Sequence, residues 1–228
     1  EVDSNAMIGN FSLGFTDLST SLGGLPITIG RTYDTLNADE IGDFGYGWNL
    51  DLFEMDIRTD VDFGESELSD IGIIPSLQHG TRLHVTLPDG TKQSFTMQVV
   101  PINSTAAAGL LAYTLSMYRV EFVPDADNTS TLTTTLPQLQ VFMNEYGELE
   151  TGAGMPFNPA SPYLDIDYIM TTQDGTEFLL DGNTGELSTI TDRQGNRLEV
   201  SDDGIRTVMP SGEIAAEISF TRDQLGRI

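Results

Sequence analysis

From Asp174 onward, Gly175, Gly185, Gly195, Gly204, Gly212 and Gly226 recur at spacings of 10, 10, 9, 8 and 14 residues, each inside a turn-forming cluster. These clusters include Asp174-Gly175-Thr176, Gly182-Asn183-Thr184-Gly185, Gln194-Gly195-Asn196, Asp203-Gly204 and Ser211-Gly212. Glycine supplies the positive φ that tight hairpin turns require, and Asn and Asp tolerate it best among the others. Short apolar pairs sit between the turns: Phe178 and Leu180, Leu187 and Ile190, Leu198 and Val200, Ile214 and Ile218. Evenly spaced turns and short strands predict an all-β antiparallel meander of hairpins. The periodicity suggests a repeat that buries its apolar face against its neighbours.

Earlier segments fit the same class. Leu25, Ile27, Ile29, Arg31 and Tyr33 fall on one side of a period-two pattern, with Thr28, Gly30 and Thr32 on the other, which predicts one extended strand. Phe44-Gly45-Tyr46-Gly47-Trp48 then places two glycines between three aromatics, so the backbone turns tightly under large rings, and the single Trp reads as a core anchor. Trp48, Leu50 and Leu52 alternate in one phase and Phe53, Met55 and Ile57 in the other, which predicts a β-bulge near Leu52-Phe53. Leu83, Val85 and Leu87 lead into Pro88-Asp89-Gly90-Thr91, and Phe95, Met97 and Val99 lead out, a hairpin pattern. Tyr113, Leu115 and Met117 change phase to Tyr118, Val120 and Phe122. Asn103 to Gly109, Asp125 to Thr135 and Gly152 to Pro162 read as loops. Only Glu65 to Ile71 suggests a short helix.

The run LPITIGRTYD followed by FGYGWNL resembles the entry segment of RHS, or YD-repeat, proteins. TTQDGTEFLLDGNTGELSTITDRQGNRLEV (Thr171 to Val200) and ISFTRDQLGRI (Ile218 to Ile228) resemble that family's repeats, with Phe220 and Arg222 where tyrosines commonly stand. The match covers roughly the first and last 60 residues, with a weaker one at Leu87 to Thr91. The resemblance implies that the meander is part of a larger coiled β-sheet shell. It implies three segments: 1–98 as an N-terminal RHS-like β segment, 99–162 as an inserted β/loop region outside the sheet, and 163–228 as YD-repeat-like hairpins, possible also as one domain. Arg31, Tyr33, Trp48, Asp192, Arg193, Asp223 and Arg227 match family positions, and their expected role is structural, with Asp and Arg of neighbouring hairpins pairing across strands to fix register.

Charge narrows the partners. Lys and Arg total 10 against 35 Asp and Glu, a formal net charge of −25, with Lys92 the only lysine. Such a surface repels nucleic-acid phosphates and anionic membranes. It suits a solvated, secreted protein, and also raises calcium binding through clustered carboxylates. There is no Cys, so neither disulfides nor thiolate metal sites exist. No apolar run approaches the roughly 18 residues that span a bilayer. The pattern stops in mid-repeat, which leads us to expect a longer parent chain.

The residues that carry chemistry are sparse. His79 reads as a turn residue and His84 as a strand residue facing solvent or a neighbouring strand, and neither lies in a triad motif. Asp165 and Asp167 alternate in Leu164 to Tyr168 and read as a solvent-facing strand edge rather than a glycosidase pair. For calcium, Asp125, Asp127 and Asn128 offer alternating oxygens, and Asp181 to Glu186 offers a Gly-containing loop that is equally a hairpin turn. Gly42, Gly45 and Gly47 make a poor phosphate loop, since no Lys follows.

The resemblance implies a non-catalytic structural segment of a shell that encloses or presents a C-terminal, toxin-like cargo, with an expected location outside the cell or at its surface. Its partners are the remainder of its own chain and an enclosed toxin domain, with no cofactor. By the same resemblance, the family's self-cleaving core and any toxin would be expected beyond Ile228, so no residue here is assigned to them. The alternative is a secreted surface adhesin or carbohydrate-binding β module using calcium, with Tyr113, Tyr118, Tyr146 or Phe157 as stacking platforms. A glycoside hydrolase is a third reading, resting only on abundant acids.

Overall fold

The computed structural model describes residues 11–22, 24–52, 55–60, 74–87, 91–102, 117–201 and 203–228. One five-residue turn recurs through them, at 144–148, 151–155, 172–176, 192–196, 209–213 and 223–227. In each, the first residue's N–H donates to the fifth residue's carbonyl, and the fourth residue's N–H donates back to the first residue's carbonyl. The fourth residue is always glycine, with φ between 75° and 85°. This is a type I turn closed by a left-handed residue, a three-residue hairpin loop whose bulge matches the right-handed strand twist. Glycine takes that φ without a Cβ penalty.

Among the described residues, these and other turns link eighteen strands. The first nine are β1 (Ser12–Leu22), β2 (Leu25–Asp34), β3 (Ile41–Gly42), β4 (Gly45–Tyr46), β5 (Trp48–Leu52), β6 (Asp56–Thr59), β7 (Arg82–Thr86), β8 (Lys92–Pro101) and β9 (Met117–Pro124). The remainder are β10 (Thr131–Thr134), β11 (Val141–Met143), β12 (Leu149–Thr151), β13 (Tyr168–Thr171), β14 (Glu177–Leu180), β15 (Leu187–Thr191), β16 (Arg197–Ser201), β17 (Gly204–Val208) and β18 (Ile214–Ser219). A single 3-10 turn, Thr35–Asn37, is the only helical element among the described residues. The fold is all-β, built from antiparallel hairpins as the turn spacing predicts.

The chain divides into two compact units, Met55–Arg197 and the pair of segments Glu1–Glu54 with Leu198–Ile228. In the first of these, strands lie in the order β15-β14-β13-β10-β9-β8-β7-β6, with the β11–β12 hairpin paired to β9. Residues 99–162 were expected outside the sheet, yet β9 and β10 lie within it, between β8 and β13. Leu132 opposite Phe122 joins them, and both side chains are buried, so burial decides where these strands go. Alternation builds the core: Leu83 and Val85 of β7 and Phe95 and Met97 of β8 are fully buried, with Leu83 opposite Phe95. The turn residues 88–90 that connect this hairpin lie outside the described residues, as do the bulge residue Phe53, the 65–71 helix candidate, the 103–109 loop and Tyr113. Phe122 and Tyr168 meet edge to face at 5.8 Å and 70°, and burial pushes the Tyr168 phenol up. A fully buried Asn158 seals one side, donating to Pro75 O at 2.8 Å while its own Oδ1 accepts from Ala160 N.

This sheet curls. β6 stands at one end of its order, and the β14–β15 turn stands near the other, yet Ile57 N donates to Gly185 O at 2.8 Å and Asp56 bridges Glu186. One bridge in place of a ladder leaves the sheet unclosed as a barrel.

In the second unit β1-β2-β5-β4-β3 form one antiparallel sheet, and β17 pairs with β16 and β18. Ile27 and Ile29 of β2 are buried while Arg31 on the same face is exposed, so this face turns outward along the strand. Leu198 is buried, but Ile214 of the terminal strand β18 is 49% exposed, which corrects its reading as a core residue.

Gly185 tests the curl. A Cβ there meets Ile57 O at 2.4 Å, whereas at Gly212, with a similar φ, it meets nothing within 4 Å. We expect Gly212→Ala to cost about 1 kcal/mol, the left-handed backbone penalty alone. Gly185→Ala should cost about 3 kcal/mol, because a backbone bridge must also move. Urea denaturation of both variants checks the difference.

Candidate functional site

Three of the seven residues singled out from the sequence meet on one face of the first sheet. The face is set by a bulge in β1: register shifts between Thr16 and Leu18, leaving Asp17 as the extra residue. The shift keeps Leu13, Phe15 and Leu18 in phase opposite Tyr33, Arg31 and Ile29. On the other side of β2, Arg31 stands opposite Leu50 and Tyr33 opposite Trp48.

Rings therefore gather around one guanidinium. Phe15 and Trp48 stack at 6.0 Å and 28°, and Tyr33 lies 5.4 Å from Trp48 at 47°. The Arg31 guanidinium carbon lies 5.8 Å from the Phe15 ring, 5.9 Å from Phe44 and 5.7 Å from Trp48. Its Nε pairs with the bulged Asp17 at 3.3 Å. A cation over several ring faces is attracted by each quadrupole. Trp48 is half-buried rather than a core anchor, because its partners are a surface strand and a cation. Gly47 carries no side chain because a Cβ would stand 2.7 Å from the Tyr33 ring. The cluster holds β1, β2 and β5 together and contains no nucleophile–base pair.

Asp192 and Asp223 occupy the first position of two of the five-residue turns. Asp192 Oδ1 accepts from Gln194 N at 2.8 Å and Asn196 N at 2.9 Å, and Asp223 Oδ1 accepts from Leu225 N at 2.8 Å and Arg227 N at 3.0 Å. Asn144 Oδ1 does the same for Tyr146 and Glu148. The side chain thus serves two N–H groups that the turn otherwise leaves to water. The second oxygen takes the fifth residue's side chain: Asn196 Nδ2 at 2.7 Å for Asp192, and Arg227 Nε and Nη2 at 2.9 and 2.6 Å for Asp223. The expected cross-strand pairing of Asp and Arg is corrected here: Asp223 and Arg227 pair inside one turn, since positions one and five face each other across it. Arg193 lays its stem over Gly175, where a Cβ would meet its Cγ at 2.9 Å. The Asn196 amide lowers the Asp192 pKa, and the Arg227 side chain lowers that of Asp223 to about 2.

The sequence gives no sign of Asp43. Its Oδ2 accepts from Leu50 N at 2.8 Å, its Oδ1 accepts from Arg222 Nη1 at 2.6 Å, and its carbonyl accepts from Ile228 N at 2.7 Å. A separation of 179 residues hides this hub from any local pattern.

The remaining candidates disperse. Asp125 pairs with Arg82, and Asn128 folds back, accepting from Ser130 N at 2.8 Å and donating to Ser94 O at 3.3 Å. Asp127 is exposed. Among the described residues no three His, Cys, Asp or Glu gather as a metal site. Asp181 Oδ1 accepts from Asn183 N and Thr184 N, both at 2.8 Å, as a hairpin turn does. His84 Nδ1 lies 2.8 Å from Ser94 Oγ on the neighbouring strand, and His79 Nδ1 accepts from Val99 N. The strand expected over 164–168 begins only at Tyr168, and Asp167 accepts from Gly182 N at 3.1 Å instead of lining an edge. Of the proposed stacking aromatics, Phe157 is buried, Tyr118 is half-buried and Tyr146 is 80% exposed at a turn tip. Among the described residues no helix is long and apolar enough to cross a membrane. Compared with protein-family models the chain matches none, and no curated protein matches it significantly.

Two outcomes follow from this geometry. Arg31→Ala should lose about 1–2 kcal/mol from its ring contacts, while Asp17→Asn, removing only an exposed ion pair, should lose less than about 1 kcal/mol; denaturation followed by Trp48 fluorescence separates them. For Asp223 the folded pKa is depressed from 3.8 to about 2, so its contribution is present above pH 3.8 and is lost as pH falls through about 2. A carboxyl NMR titration should place the midpoint near 2, and Arg227→Gln should return it toward 3.8.

Proposed function

We propose that this chain is a non-catalytic wall segment of an RHS/YD-repeat-like shell, outside the cell or at its surface, that encloses or presents a C-terminal, toxin-like cargo. The observation that carries this reading is the side-chain clamp in the turns Asp192–Asn196 and Asp223–Arg227. The clamp gives the Asp-x-x-Gly-Asn/Arg spacing a physical purpose: each turn closes itself with its own first and fifth residues. Hairpins built that way need only their immediate neighbours, so a sheet lengthens by repetition. The net charge of −25 keeps a large exposed sheet soluble and repels other copies.

Reading the encoding locus past the codon for Ile228 tests the proposal. Further Asp-x-x-Gly-Arg turns ending in a domain that lacks them are expected. A stop codon within one or two repeat lengths would overturn the wall role.

A further inference from the structure

Arg31 is held in place yet left open at one end. Its guanidinium carbon lies 5.7 to 5.9 Å from the rings of Phe15, Phe44 and Trp48, and Nε faces Asp17 Oδ2 at 3.3 Å. Neither Nη1 nor Nη2 donates a hydrogen bond among the described residues, and the side chain is 44% exposed. A guanidinium carries five N–H donors in a rigid fork, so the four on the Nη atoms are uncommitted here. Beside this fork runs an apolar lane on the same face of the first sheet. Phe15 stands opposite Arg31, Leu13 opposite Tyr33 and Leu18 opposite Ile29, and these three β1 side chains are between 40% and 49% exposed. The bulge at Asp17 keeps Leu18 in phase with the other two. The lane covers four residue steps of β2, about 13 Å at the strand rise, with Arg31 midway.

We propose that Arg31 and this lane form a binding site for a small monocarboxylate with a compact apolar body, of the aryl acetate type. The ligand carboxylate accepts two parallel N–H bonds from Nη1 and Nη2, the bidentate geometry in which an arginine fork is strongest. Asp17 occupies Nε, so the fork is approached end-on. The apolar body lies over Phe15 and Leu13 and leaves water there. Preorganisation comes from the protein itself: the ring faces hold the cation where it is needed, so little side-chain freedom is lost on binding. Two observations limit the ligand. Each arm of the lane is about 7 Å long, room for one ring. The net charge of −25 makes every further negative charge on the ligand unfavourable, which selects a monoanion over a phosphate or a polyanion.

Trp48 is the only Trp and belongs to the cluster, so its emission reads the site directly. The full chain is titrated with sodium phenylacetate, and separately with phenylacetamide, which keeps the ring and loses the charge, at matched ionic strength. Phenylacetate should change Trp48 emission saturably in the millimolar range, with no saturable change from the amide. Arg31→Lys keeps the cation over the rings but loses the planar fork, and should raise the phenylacetate midpoint at least about fivefold. The two wild-type titrations decide the matter even where the variant disturbs the rings. No saturable change with phenylacetate, an amide midpoint equal to that of the acid, or a variant with undisturbed free emission and a midpoint within about twofold of wild type would overturn the site.

Discussion

A left-handed glycine at the fourth position of a five-residue turn is the constraint on which the rest of the structure depends. It fixes the loop length, and loop length fixes which residues of adjacent strands face each other. Because side chains alternate, a slip of one residue would exchange the buried and exposed faces of every strand that follows. The Asp or Asn at the first position makes the turn specific as well as permitted. Its carboxylate or amide oxygen serves the N–H groups of the third and fifth residues, as at Asp192 and Asp223, and these are the groups that a wrong register would leave unpaired.

Where the chain departs from simple alternation, it gains a function in packing. The extra residue in β1 bends the strand and releases Asp17 from the ladder to meet Arg31. The same shift holds Phe15 over Trp48. Arg31 then sits among three rings, an arrangement in which the ring faces contribute more than the exposed carboxylate, since solvent screens the latter. The two segments of this unit, 1–54 and 198–228, are joined differently at Asp43, which reaches Arg222 and Ile228 through polar groups. One union sets an exposed cation among aromatic faces, and the other is a more covered ion pair with a backbone bond beside it.

Much of this was legible in the residues. The β7–β8 hairpin follows from Leu83, Val85, Phe95 and Met97, all fully buried. FGYGWNL follows from rings that need glycine beneath them, as Gly47 does under Tyr33. The family-like motif positions fared unevenly. Arg31, Tyr33 and Trp48 converge, but Asp223 and Arg227 pair within their own turn, a result that hairpin-to-hairpin reasoning misses because positions one and five of one turn are closer than positions on two turns. Phe157, a stacking candidate in the 152–162 loop, is buried, because its backbone bonds both Leu77 and Leu149 and draws the ring inward.

The sequence by itself determined the class, an antiparallel meander, because glycine spacing and two-residue periodicity are local properties that each segment carries with it. It also determined the clamped turns, whose partners lie within five residues. Only the tertiary structure decided that β9 and β10 lie between β8 and β13, that Gly185 receives the Ile57 N–H, and that Asp43 meets Arg222. Those partners are far apart along the chain, and their pairing is selected by which buried faces fit once the local hairpins already exist.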